Sequence, residues 1–209
     1  MGNRTIEAII GKLHRISAFL VQIVNDALHD ETARRAFANN AFDGALTFLG
    51  ILLGNIVLND FHPVTVIYIG LSTCLAIGMS GAFGRFLSER AERRALLHKL
   101  EKDLLTNLGD TSIEREGREK TVIISVIDGL TPALAAVIPL SPFFLAQASV
   151  IPVNASIVAS FALVFIVLFG LGMFLGKTSE ENVLLYGGVT VAVGLVTSLI
   201  ILSVSISFR

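Results

Sequence analysis

The chain has 209 residues, 53% hydrophobic and only 16% charged, with a mean hydropathy of +0.74. That composition excludes an ordinary soluble core and points to a membrane protein. The formal net charge of −1 hides strong clustering of acids and bases, and nothing in it points to nucleic acid.

Residues 4–28 read as an amphipathic helix. Ile6, Ile9, Ile10, Leu13, Ile16, Leu20, Ile23, Val24 and Leu28 recur at helical spacing, with Arg4, Glu7, Lys12, Arg15 and Asp26 mostly off that stripe. The continuous apolar part, 18–24, is too short to span a bilayer. It also lacks the cleavage site of a secretory signal. Such a helix serves either as an interfacial anchor, the simpler reading, or as a gate or dimer element.

Five apolar stretches long enough to span follow, at about 39–58, 64–86, 121–146, 155–175 and 183–205. The link 59–63 is a short turn. After the second stretch, strong helix formers and periodic leucines carry the helix past the membrane to about Leu105. Gly109-Asp110-Thr111-Ser112 breaks it, and 113–120 begins a second short helical piece. Pro132, Pro139 and Pro142 imply that the third span is a broken helix, since each proline removes a backbone donor.

The bases set a topology. Arg4, Lys12, Arg15, Arg34 and Arg35 precede the first span. Arg85, Arg90, Arg93, Arg94, Lys99, Lys102, Arg115, Arg118 and Lys120 lie at or between the second and third. The turns at 59–63 and 149–154 carry no Lys or Arg. The positive-inside rule then puts the N-terminus and the 88–120 region in the cytoplasm and the C-terminus outside a cell membrane. The expected fold is all-α. Residues 1–35 form the amphipathic helix, 36–87 the first two spans, 88–120 a cytoplasmic helical insert and 121–209 the last three spans. Spans one and two repeat as spans three and four, a parallel pair of hairpins, with the fifth span added.

The repeat is visible at the residue level. Asp43-Gly44-Ala45-Leu46-Thr47 is echoed by Asp128-Gly129-Leu130-Thr131, 85 positions later. Arg35 precedes the first acid by eight residues and Lys120 the second by eight. At ~1.5 Å per residue both acids then sit about 12 Å inside the basic boundary. A carboxylate in hydrocarbon is expensive and by default a functional candidate; the plainer alternative is a pair of helix-start acids near the interface. Met79, with Ser80 beside it, lies about 9 Å inside Arg85 by the same count.

Asp43, Asp128 and Met79 could thus share one layer, with no base inside the membrane to neutralise either acid and Arg85 only at its edge. Carboxylates with a thioether suit a borderline divalent ion such as Fe²⁺ or Mn²⁺. A carboxylate in low dielectric also holds a proton more readily, so it can trade a proton for a cation. The plainer role for Met79 is packing. In the insert, Glu89 with Glu92, and His98 with Glu101, share a helix face, and Glu116 follows; these could chelate metal. Their alternation with Arg and Lys fits a solvated, ion-paired face better.

These features together resemble the vacuolar iron transporter family of iron and manganese exporters, in its prokaryotic branch. Asp43-Gly44-Ala45-Leu46-Thr47 resembles the motif that opens the family's first span. Met79-Ser80-Gly81-Ala82-Phe83-Gly84-Arg85-Phe86-Leu87-Ser88-Glu89 is similar to the end of its second. Ala136-Val137-Ile138-Pro139-Leu140-Ser141-Pro142-Phe143 is similar to its third. The resemblance covers about 36–205. It implies a homodimer in the bilayer that exports Fe²⁺ or Mn²⁺ from the cytosol against protons, with the metal as substrate and no permanently bound cofactor. It implies that Asp43 and Met79 line the ion path. Two positions depart from the pattern. An ungapped alignment on 84–87 puts Gly81 where the family has its methionine, and Arg85 stands where many bacterial relatives have glutamate.

Two other classes compete. An intramembrane aspartyl protease also needs two buried aspartates, and Pro132-Ala133-Leu134 spells one of its motifs, but its Gly-x-Gly-Asp and Tyr-Asp signatures are missing. A non-transporting scaffold or channel would bury the acids in ion pairs. The reading carried forward is a transporter and not an enzyme.

Overall fold

The computed structural model describes residues 31–58, 62–105 and 112–207, and side chains within these from Arg34 onward except at 111–120 and 206. The amphipathic stretch 4–28 lies outside the described residues. What is described is helical: α1 (Glu31–Leu58), α2 (Pro63–Leu104), α3 (Ser112–Gln147), α4 (Val153–Thr178) and α5 (Val183–Ser207). All five are long and apolar enough to cross a membrane. Each reaches beyond the apolar run that predicts it, because helix hydrogen bonds do not stop where hydropathy does.

The helix starts follow local chemistry. Pro63 opens α2 after an extended His62, where a missing N–H costs nothing. Asn182 caps α5, its Oδ1 accepting from the N–H groups of Leu184 and Leu185 at 3.1 and 3.3 Å. With 42 residues, α2 is about 63 Å long, twice the ~30 Å hydrocarbon core. Its second half therefore projects past the membrane.

α3 lies at the centre, packed on α2, α1 and α4, while α5 packs chiefly on α4. The main core joins Phe48, Leu49 and Leu52 of α1 to Val66 of α2, Leu140 and Phe143 of α3, and Val164 and Leu168 of α4. Outward stand Tyr68 and Leu75 of α2 and Leu184 and Leu199 of α5, each about two-thirds exposed, as a lipid-facing surface requires.

Two expectations for the third span are corrected. The helix is not broken at its prolines: Pro132, Pro139 and Pro142 all lie inside α3. Nor is 113–120 a separate piece, since α3 runs on from Ser112. Continuity survives where the carbonyls freed by the prolines find other surroundings. Pro142 cannot donate to Ile138, and the Ser141 hydroxyl donates to that carbonyl at 2.7 Å instead. Pro132 cannot donate to Asp128, whose carbonyl oxygen lies against the α2 backbone at Gly81.

Candidate functional site

The site is built where α2 and α1 cross α3. At the α2 crossing the two backbones touch. A Cβ on Gly129 would stand 2.7 Å from the Gly78 carbonyl oxygen and from Ala82 Cβ, and one on Gly81 would stand 2.6 Å from the Asp128 carbonyl oxygen. Only glycine permits that approach. On the other side, the place of a Gly44 Cβ is taken by the Pro132 carbonyl. The Gly of each Asp-Gly pair thus fixes a helix crossing, and the neighbouring acid is aimed by it.

Asp128 lies at the centre of a polar cluster. Asn40 Nδ2 of α1 donates to Asp128 Oδ1 at 2.8 Å. Arg85 Nε of α2 stands 3.7 Å from Asp128 Oδ2, and Arg85 Nη2 stands 3.8 Å from Glu89. Glu89 is held in turn by Arg93 at 3.1 Å. The Asp128 and Glu89 side chains are only 14% and 17% exposed. The expectation that no base neutralises the acids is therefore corrected for Asp128. Arg85 starts at the edge, but a long side chain can place its head well away from its own Cα.

Asp43 is elsewhere. It is exposed on α1, in line with Arg35 and Asn39 at four-residue intervals. The inter-helix register explains this. Asn40 meets Asp128 and Gly44 meets Pro132, both 88 positions apart, so α1 and α3 run in the same direction with Asn40 and not Asp43 opposite Asp128. The three-residue difference from the 85-position echo displaces the acids by about 4.5 Å along the axis and turns them to different faces. Met79 is 57% exposed and Ser80 is exposed, so neither is enclosed with Asp128. Within one chain, the expected shared layer does not close into one site.

In the α2 extension, Glu89 is tied to arginines, Glu92 is exposed, and His98 Nδ1 stands 3.4 Å from Glu101 Oε2. Glu116 lies on α3 in the stretch whose side chains are not described. Among the described residues, no group of three or more His, Cys, Asp or Glu is placed to hold a metal ion. Sequence reasoning overlooked Asn40; the available signal was an amide side chain inside the basic end of an apolar run.

The chain is similar to an uncharacterized protein of Methanocaldococcus jannaschii, with 28% identity over 197 residues covering 93% of this chain and 99% of that one. No protein-family model matches it. No solved structure matches it.

Proposed function

We propose that the protein carries a divalent transition metal, Fe²⁺ or Mn²⁺, out of the cytosol in exchange for protons, and that it works as a homodimer in the cell membrane. The observation that carries this reading is the place of Asp43. It is exposed on a membrane-spanning helix, about 13 Å beyond Arg34. A carboxylate facing lipid is too costly to leave there without a function. On this reading a second copy covers that face. Gly54 has nothing within 4 Å of where a Cβ would be, and Gly50 only Ile201, so two α1 helices could approach closely. The two Asp43 carboxylates would then double the donors near a shared axis, with Met79 as a softer ligand beside the path. The two-hairpin repeat, with N-terminus in and C-terminus out, is the arrangement that fits the distribution of bases.

The test is flux of Fe²⁺, Mn²⁺, Co²⁺ and Zn²⁺ into proteoliposomes under a pH gradient, with oligomeric state measured in the same lipid. Metal uptake coupled to proton release supports the reading. Absence of flux for all four metals rejects it, and an active monomer rejects the dimer.

One observation favours a second reading, a scaffold or channel with its acids ion-paired: the Arg85–Asp128 contact. The same flux assay separates the two. A protease would need the two aspartates to face each other, which they do not do within one chain.

A further inference from the structure

We propose that the outward face of α2 where it leaves the membrane, formed by Phe83, Leu87, Arg90 and Arg94, is a docking site for an anionic phospholipid of that leaflet, with the two guanidiniums on its phosphate. The inference needs only that α2 spans a bilayer, and it is independent of the metal-transport reading.

The bases of the α2 extension divide by their surroundings. Arg85 and Arg93 both reach Glu89, at 3.8 and 3.1 Å. Arg90 and Arg94 are exposed and stand one helical turn apart. No acid lies three or four positions before or after either of them, so the helix itself offers no partner. Among the described residues, no ion pair involves them. Two guanidiniums are thus presented side by side with nothing to neutralise them.

Their placement fits a headgroup. Gly78, Gly81 and Ala82 mark the side of α2 that lies against α3. Arg90 is nine residues from Gly81 and Arg94 nine from Arg85, two and a half turns in each case, so both fall on the side turned away from α3. Phe83 and Leu87 are exposed on that same side. The face therefore changes from apolar to basic just where the apolar run ends. Arg90 and Arg94 lie about 5 and 11 Å beyond Leu87 along the axis, and the polar headgroup layer on each side of the hydrocarbon is about 5–8 Å thick. Side chains on a helix lean toward its N-terminus. The N-terminus of α2 is across the membrane, so both arginines lean back toward the bilayer, and the long arm of Arg94 carries its head down into the same layer. Arginine forks there can grip phosphate oxygens through paired bonds, while Phe83 and Leu87 lie against the acyl chains.

Charge selects this occupant. A second copy docked through the same face would bring four unpaired guanidiniums together, whereas the anionic lipids of a membrane surface supply the opposite charge. A free phosphate would leave Phe83 and Leu87 uncovered.

The test is native mass spectrometry of the full chain in detergent, titrated with phosphatidylglycerol and, separately, with phosphatidylcholine. Arg90→Gln and Arg94→Gln should each weaken phosphatidylglycerol binding about fivefold, and together about thirtyfold, with phosphatidylcholine unchanged. Lys99→Gln with Lys102→Gln removes the same charge about 18 Å or more beyond Leu87 and should leave binding within about twofold of the parent's. Excess inorganic phosphate should not displace the lipid. Equal binding of the two lipids by the parent overturns the inference. So does parental binding in the double arginine variant, or an equal loss in the double lysine variant, which would mean that net charge alone attracts the lipid. Displacement by inorganic phosphate would make this a free-phosphate site instead. Arg90→Cys in a Cys74→Ala chain that forms a disulfide between two copies in nanodiscs would assign the face to a second copy. If the double arginine variant does not elute as a folded species, either single variant decides by its fivefold loss.

Discussion

Asn40 on α1 donates a 2.8 Å hydrogen bond to Asp128 on α3, joining the two helices across 88 positions of sequence. This bond has the same 88-position offset as the Gly44–Pro132 backbone contact and reports the register of the pair. With Asn40 opposite Asp128, Asp43 falls further along α1 and faces away, so the two Asp-Gly motifs divide their roles. One acid is enclosed among polar partners and the other is presented at the surface of the chain.

Asn40→Ala should therefore destabilise the fold without touching the surface acid. Interhelical hydrogen bonds in membranes are worth about 0.5–2 kcal/mol, and the loss should appear as a lower midpoint of thermal unfolding in detergent. Asn40→Asp should be worse, because it sets a second carboxylate against Asp128. An unchanged midpoint in both would remove the bond from any account of helix register.

Asp43→Asn keeps shape and hydrogen bonding but removes the charge. Metal flux should fall to background while the protein still elutes as a single folded species. Asp128→Asn should lower flux or change its pH dependence. If Asp43→Asn transports like the parent, the acid is an interfacial residue and the proposed path is wrong.

The glycines should divide by their surroundings. Gly129→Ala puts a methyl against backbone atoms of α2, and Gly44→Ala does the same against Pro132, so both should cost at least about 1 kcal/mol as the helices are pushed apart. Gly84→Ala meets nothing within 4 Å and should be neutral or stabilising by up to about 1 kcal/mol through helix propensity. Unfolding midpoints of the three variants give the ranking, and equal effects would mean that the α2–α3 and α1–α3 crossings are not backbone contacts.

The topology proposed from the span count and the bases predicts that residues 100 and 205 lie on opposite faces of the membrane. Leu100→Cys and Ser205→Cys, each in a Cys74→Ala chain, should be labelled by an impermeant thiol reagent from opposite sides. Labelling from one side would refute the topology.

The five helices were legible because a run of apolar residues long enough to cross hydrocarbon has few alternatives. The relation between Asp43 and Asp128 was not. Spacing along one helix gives depth along that helix, whereas the slip between two helices is set by where backbones touch, here Gly44 against Pro132. The contact of Arg85 with Asp128 was missed for a related reason, since counting from a backbone position ignores how far a guanidinium lies from its own Cα. The prolines misled because the missing donor is evident in sequence, while Ser141, which serves Ile138 in its place, reads as an ordinary span residue.

The unbroken length of α2 has a mechanical consequence. The helix is packed closely against α3 at Gly78, Gly81 and Gly129, and its far end at Leu104 lies 23 residues beyond Gly81. That arm is about 35 Å long, so a five-degree tilt at the crossing sweeps its tip through about 3 Å. Arg85 sits four residues from the fulcrum, where the same tilt moves the backbone by only about half an ångström. Any tilt at this crossing would therefore be larger at the far end of the rod than beside Asp128.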